Sequence, residues 1–516
     1  MGTLKKYIPF FASAMLMVVV LLAIYPHYQY YVDPDGTAYL TISERYANGD
    51  YLRAINGYWS PWSCWLTAGV MRLGLSAIPA SVIVNAIGAT GFLFISQSFF
   101  LRFRIDRLFQ WSLCITLALF LCYAIFWQSF DDLWECFFLL AALRLMLLED
   151  FKSKPQWWIV YGVMGALAYF AKAYSFPFFI LNTFCCNYFI SKGNKAVWWK
   201  ISVVSIIVML ACSMPWIYAL HNKYGIWTTS TAGPLNTSWY LLGHRQWKEG
   251  IDLLAPSRYA DSPYQWEDPW FSKGDTPHFW NSWRLFGMQL LRLVYNVFKL
   301  FISALQLSVF FPVIGIIALL SVRRKKISSL FVGDMRIVIL SFLLFPVGYL
   351  LVNFESRYIW YMLPPGMVIG VFFFQNNLLR FRVSKKMFAI VFSISFLVVP
   401  IWLLATMYHK GGQEHDMAER LAAAHIQGSF TSNTHPGAEV QCIERLAYFS
   451  RNQFYTITRA DAPQRDLLKE MRRYHVKYYF ALQSSAPANF VDEQGKPFRE
   501  VTQGVVPGLR VYLVNP

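Results

Sequence analysis

Two aspartates, Asp33 and Asp35, stand just after the first long apolar run, in the stretch Tyr-Tyr-Val-Asp-Pro-Asp-Gly-Thr-Ala-Tyr. Carboxylates there suit a general base or a cation site, although Asp-Pro-Asp-Gly is also an ordinary turn composition. Further along come Asp131, Asp132 and Glu135. Acids this close raise one another's pKa and are costly beside hydrocarbon. Helix capping accounts for one of them but not for three. Lys172 is isolated in Ala-Tyr-Phe-Ala-Lys-Ala-Tyr-Ser-Phe-Pro. It reads either as a snorkelling cation or as a point charge for a phosphate. Asn353-Phe354-Glu355-Ser356-Arg357-Tyr358 presents Arg357 as a fork for phosphate oxygens, or as a partner of Glu355. An acid that takes a hydroxyl proton, with cations that stabilise a departing phosphate, suits group transfer from a phosphate leaving group to a hydroxyl.

The elements that must position these groups are membrane spans. Of the 516 residues 56% are hydrophobic and 15% charged, with mean hydropathy +0.36; a soluble chain carries about 25% charged residues. Apolar runs long enough to cross about 30 Å of hydrocarbon recur through the first 400 positions. They predict about eleven spans, near 7–25, 79–101, 109–127, 133–148, 157–171, 174–191, 200–220, 300–320, 337–352, 358–378 and 387–407. The first has no small-residue cleavage site and reads as a span rather than a signal peptide.

Alternate connections hold Lys5/Lys6, Arg102/Arg104/Arg107, Lys152/Lys154, Lys192/Lys195/Lys200, Arg323/Arg324/Lys325/Lys326 and Arg380/Arg382/Lys385/Lys386. That regularity predicts a cytoplasmic face for this set, with the N-terminus inside and the C-terminus outside. It also accounts for much of the net charge of +17, so no nucleic-acid partner is expected. The expected membrane domain is 1–407, with outward loops 26–78 and 221–299. Residues 408–516 have ordinary soluble composition. Strand-like runs (Phe454–Ile457, Lys477–Leu482, Leu509–Val514) alternate there with helix-like runs (Val440–Phe449, Gln464–Tyr474), predicting a small extracytoplasmic α/β domain. In the first loop Tyr39, Ile42 and Tyr46 share one helical face, with Glu44 and Arg45 opposite, as in a helix lying along a membrane surface. Six of the eight cysteines fall in spans as small hydrophobes. Cys64 and Cys442 do not, but a disulfide between them is not expected, and no metal-ligand spacing occurs.

At these residues the sequence resembles the polytopic glycosyltransferases of the C-type fold, in the protein O-mannosyltransferase and lipid A aminoarabinose transferase branch. Asp35-Gly36-Thr37-Ala38-Tyr39-Leu40, followed by Ala47-Asn48-Gly49-Asp50, is similar to the family's first-loop motif. Asp131-Asp132-Leu133 resembles its second acidic site, and Gly162 to Lys172 with Pro177 its glycine-containing span ending in Lys. Glu355-Ser356-Arg357-Tyr358 with Pro364-Pro365 resembles its late Arg-Tyr motif. The likeness covers roughly residues 1–407 in order and topology.

The resemblance implies a mostly α-helical membrane bundle and an inverting transfer at the outer face, without metal or cofactor. The donor would be a sugar on a polyprenyl phosphate, and the acceptor a hydroxyl of a protein, lipid or glycan. Asp35 is the implied base, from its spacing to Tyr39, with Asp33 in reserve and Asp131 and Asp132 as further catalytic acids. The family often has Lys-Pro-Pro-Leu late in the first loop. Here Asn56-Gly57-Tyr58-Trp59-Ser60-Pro61-Trp62 carries no lysine. Donor phosphate then falls to Lys172 and Arg357, with Arg53, and Tyr39, Glu355 and Tyr358 complete the candidates. The missing lysine also leaves the sugar unnamed. Two other classes compete. A transporter or flippase of lipid-linked substrates would hold its binding groups near the bilayer midplane in related halves, but no internal repeat is present. A scaffold displaying 408–516 would leave the acids and cations unexplained.

Overall fold

The computed structural model describes residues 5–127, 131–242, 253–273, 276–323, 331–378, 384–434, 440–458, 462–482 and 490–515. Arg324, Lys325, Lys326, Arg380 and Arg382 of the expected basic loops lie outside them. Among the described residues eight helices are long and apolar enough to cross a membrane, from Ile8–Tyr28 to Lys385–Thr406, with shorter apolar helices such as Ser175–Ile190 between them. The protein is an integral, multi-pass membrane protein. Its chain forms two compact units.

The first unit comprises Met1–Pro26, Ser60–Ser230 and Phe286–Tyr408. Its centre is the helix Pro155–Ala171, packed on Lys195–Tyr224 and on Asp132–Met146. Two glycines make that packing close. A Cβ on Gly162 would stand 2.5 Å from the Ser205 carbonyl oxygen and 2.8 Å from Val208, and one on Gly165 would stand 2.7 Å from the Phe179 ring. Small residues let backbones approach in this way where lipid offers no hydrophobic drive for association. The helix ends when Lys172 turns extended (φ −151°, ψ 124°) while its N–H still bonds the Ala168 carbonyl at 2.8 Å. A new helix starts at Ser175, with Pro177 in its first turn, where a missing N–H costs nothing. Lys172 therefore sits at the break between two helices, Pro155–Ala171 and Ser175–Ile190.

The span expected near 300–320 is corrected. Two helices, Trp283–Leu307 and Phe311–Arg323, replace it, and the first begins well inside the expected loop 221–299. The break has a local cause. The Ser308 hydroxyl accepts the Phe310 N–H at 3.1 Å and meets the Ser395 hydroxyl at 2.6 Å, and Pro312 opens the next helix. Pro364 and Pro365 likewise open Leu363–Phe373 after a tighter 3-10 stretch, Ser356–Met362.

The second unit comprises His27–Trp59, Thr231–Leu285 and His409–Pro516. Its five-stranded sheet runs in the order Gln453–Phe454, Ser429–Ser432, Tyr478–Leu482, Leu509–Leu513, Arg499–Glu500. The first three strands are parallel and the last two antiparallel. Helices Gly412–Ala423 and Val440–Ser450 cover one face, burying Leu421, Ile443 and Leu446 against Phe430, Phe454 and Phe480. Helix Gln464–Arg473 covers the other through Leu468 and Met471 against Tyr479 and Tyr512. The alternating strand and helix runs of the sequence are thus present.

This unit also draws on the two long loops. Leu254–Ala255 pairs antiparallel with Thr456–Ile457, and the first-loop helix Pro34–Ala47 packs on Val440–Ser450. Ten of its fourteen residues are buried, Arg45 among them, so the expectation of a surface-lying helix with Glu44 and Arg45 on an opposite face is corrected at Arg45, which is buried within the unit. The described cysteines are all free thiols.

The close helix approach yields a prediction. Gly162→Leu should lower the thermal unfolding midpoint of the detergent-purified protein, the cost being about 1–3 kcal/mol of overpacking. An unchanged midpoint would show that Gly162 is not a contact point. Gly69→Ala, where nothing stands within 4 Å, serves as the control.

Candidate active site

In the first unit the cations and acids meet at helix ends. Asp132 opens the helix Asp132–Met146, and its carboxylate binds the Lys172 ammonium in a short ion pair. Glu135, one turn on, lies 4.0 Å from the same nitrogen and accepts the Ser175 hydroxyl at 2.8 Å. Arg357 approaches the other Asp132 oxygen at 3.9 Å and donates to Glu355 at 2.9 Å. Asp131 stands at the N-cap position and is buried, but its side chain makes no capping bond. Capping therefore does not explain that acid.

Aromatic rings close the other side of Lys172. Its ammonium lies 4.3 Å from the centre of the Tyr358 ring and 5.8 Å from that of Tyr349. These two rings stack at 4.8 Å, and Tyr174 stacks on Tyr349 at 3.7 Å. Ring faces are electron-rich and attract a cation, so the lysine is held charged by a carboxylate on one flank and by π-faces on the other. The Tyr358 hydroxyl donates to Glu355 at 3.3 Å.

A cavity of about 510 Å³ opens beside Arg357 and Glu355. Tyr295, Phe298 and Ile302 line it with apolar surface, and Lys299 adds a second cation. Lys299 donates to the Asn353 side chain at 2.9 Å and, among the described residues, forms no ion pair. The sequence reading missed Lys299 because it placed the residue at the edge of an expected loop. The signal was present as a lone lysine within Tyr-Asn-Val-Phe-Lys-Leu-Phe-Ile, the same signal that singled out Lys172.

In the second unit the two first-loop aspartates separate by role. Asp33 is buried and caps the helix Pro34–Ala47, accepting the Gly36 N–H at 2.7 Å. Asp35 lies in the first turn, only partly buried, and accepts the Trp266 indole N–H at 3.2 Å. The Tyr264 hydroxyl bonds the Pro34 carbonyl, and Tyr39 packs edge-on against Trp59 at 5.1 Å. Arg45 bonds Glu267 at 2.7 Å and Asp261 at 3.0 Å. Burial opposes its charge, but these acids outweigh it and hold the guanidinium above its ordinary range. Arg53 pairs with Asp50 at 2.7 Å and with Asp261 at 3.2 Å.

Glu444, on the helix Val440–Ser450, had no distinguishing mark in the sequence. It is buried, and its carboxyl is pushed up to about 8 by burial and by the charges of Asp35 and Asp33, against the pull of Arg445. Between an unfolded value of about 4.3 and about 8 the folded unit holds a proton that the unfolded chain has released. This group's contribution to stability therefore falls as pH rises through that window.

The sequence matches no family model and no curated protein. Solved structures do match. ArnT from Cupriavidus metallidurans bound to undecaprenyl phosphate aligns over 97% of both chains, at 13% identity and TM-score 0.52. The Archaeoglobus fulgidus oligosaccharyltransferase in complex with Zn and sulfate aligns over 92% of this chain and 68% of its own, at 12% identity and TM-score 0.55. At such identities the likeness is one of fold, and the chain has the C-type glycosyltransferase fold.

Proposed function

We propose that this protein is an inverting glycosyltransferase that moves a sugar from a polyprenyl-phosphate donor to a hydroxyl of a protein, lipid or glycan. The observation that carries the reading is the convergence of Lys172 and Arg357 on Asp132 beside a cavity with an apolar wall and a further cation, Lys299. A phosphate joined to an isoprenoid chain has the same division between a charged head and an apolar tail. ArnT, which shares the fold, was solved with undecaprenyl phosphate.

In this reading Lys172, Arg357 and Lys299 bind the donor phosphate and stabilise the charge it gains as the sugar leaves. The Asp132–Lys172 and Glu355–Arg357 pairs keep the cations oriented before donor arrives. Asp35 takes the proton of the attacking hydroxyl. Asp33 is committed to its helix cap, which supports Asp35 as the base. The alternating basic loops support an extracytoplasmic site with the N-terminus in the cytoplasm.

Two outcomes are expected. Asp35→Asn should lower transfer at least about a hundredfold while leaving donor binding within about twofold; full activity in that variant removes Asp35 from the mechanism. Lys172→Ala, Arg357→Ala and Lys299→Ala should each weaken undecaprenyl-phosphate binding about tenfold or more, read by titration in nanodiscs, since a charge-assisted bond contributes about 1.5–3 kcal/mol. Unchanged affinity in all three would refute the phosphate site.

A further inference from the structure

We infer that Trp266, carried on the second loop, is a positioning residue for Asp35: its indole N–H holds one carboxylate oxygen and so sets the direction in which the aspartate meets a hydroxyl. The inference rests on the proposal that Asp35 is the base and adds to it a partner more than two hundred positions away in the chain.

The link is a hydrogen bond within one unit. Asp35 lies in the first turn of Pro34–Ala47, and its Oδ1 accepts the Trp266 indole N–H at 3.2 Å. Trp266 is the middle residue of a short 3-10 turn, Gln265–Glu267, which packs on that same helix. The turn is tied to the helix on both sides of the indole. Before it, the Tyr264 hydroxyl donates to the carbonyl of Pro34, next to Asp35. After it, the Glu267 carboxylate accepts from Arg45 at 2.7 Å. The end of the first loop adds two more bonds. The Trp59 indole donates to the Trp266 carbonyl at 2.9 Å, and the Asn56 amide donates to the Glu267 carbonyl at 2.6 Å.

The ring itself is clamped. It stacks on Trp239 with 5.4 Å between centres and 23° between planes, and Tyr58 meets it edge-on at 5.5 Å. Tyr58 is held in turn by Asn236, whose side chain accepts its hydroxyl at 3.0 Å. An indole fixed in this way delivers its N–H along one direction, and a carboxylate that accepts it loses the free rotation of an exposed aspartate. The helix N-cap is supplied by Asp33, which accepts the Gly36 N–H at 2.7 Å, so capping is not what places Asp35. Tryptophan also suits the task chemically, because its indole nitrogen is a donor only. It orients the carboxylate without competing for the proton that Asp35 is to take, whereas a hydroxyl in the same place could accept one. The clamp on the turn is thereby passed to the candidate base.

The test uses the full-length protein in nanodiscs, isotope-labelled at tryptophan, and follows the indole N–H resonances by NMR. The Trp266 signal is the one lost in Trp266→Phe. In Asp35→Ala it should move upfield, as an N–H does when a charged acceptor is taken away. A signal that stays in place overturns the inference. This measurement needs no transfer reaction, so it can fail separately from the glycosyltransferase reading. Where transfer is measured, Trp266→Phe keeps an aromatic ring against Trp239 and removes the N–H. It should lower kcat about tenfold and leave the donor KM within about twofold. In an Asp35→Asn background the same change should cost nothing further, because no base remains to be positioned. An unchanged kcat in the single variant, or an equal loss in the Asp35→Asn background, would contradict a positioning role.

Discussion

A charged lysine at the end of a membrane helix must have its charge compensated, and the first unit is arranged around that need. Lys172 is met by Asp132 on one flank, by Glu135 at 4.0 Å and by the faces of Tyr358 and Tyr349 on the other. Breaking a buried pair by removing one member costs about 3–5 kcal/mol, because the remaining charge stays desolvated. Pairing alone is weak evidence for stability, since a well-packed apolar pair of similar volume often does as well. Retaining so many charged groups in one place supports the proposal that they bind a donor phosphate. The helix break at Lys172, the glycines that bring Pro155–Ala171 close to its neighbours, and the proline-opened helix after Arg357 position these groups.

Much of this was legible in the sequence, for identifiable reasons. Apolar runs and isolated charges are local signals, so the spans, Lys172, Asp132 and Arg357 could be read directly. The alternating strand and helix runs after residue 440 were readable on the same basis. The break at Ser308–Phe310 was not, because a kink made by hydroxyls and a proline leaves hydropathy unchanged. Arg45 was misplaced because helical periodicity assigns a face to a residue without knowing that Glu267 and Asp261, more than two hundred positions away, will meet it. Glu444 was invisible for a similar reason. Its environment is made by residues near 35 and 264, and nothing within its own helix marks it.

The second unit is assembled from three separate stretches of chain, and this changes how its soluble part is understood. Residues 409–516 do not stand alone: the second loop adds a strand at Leu254–Ala255 and the first loop adds the helix bearing Asp35. The candidate base is thereby built into the same folded body as the sheet. Its helix is capped by Asp33, bonded by Tyr264 and braced through Glu44 by Tyr448 and Arg451. A base on a mobile loop would sample many orientations, whereas proton transfer requires one within hydrogen-bond reach. The aromatic group of Tyr58, Trp59, Trp239 and Trp266 adds further rigidity and brings the indole N–H to Asp35.

The most direct test is the mass of the product formed when the purified protein is incubated with a set of polyprenyl-phosphate sugars and candidate hydroxyl acceptors. A glycosyltransferase of this kind yields an acceptor heavier by one sugar residue, with release of free polyprenyl phosphate in equal amount. Movement of the lipid-linked sugar across proteoliposomes with no covalent product would contradict it and make the chain a transporter.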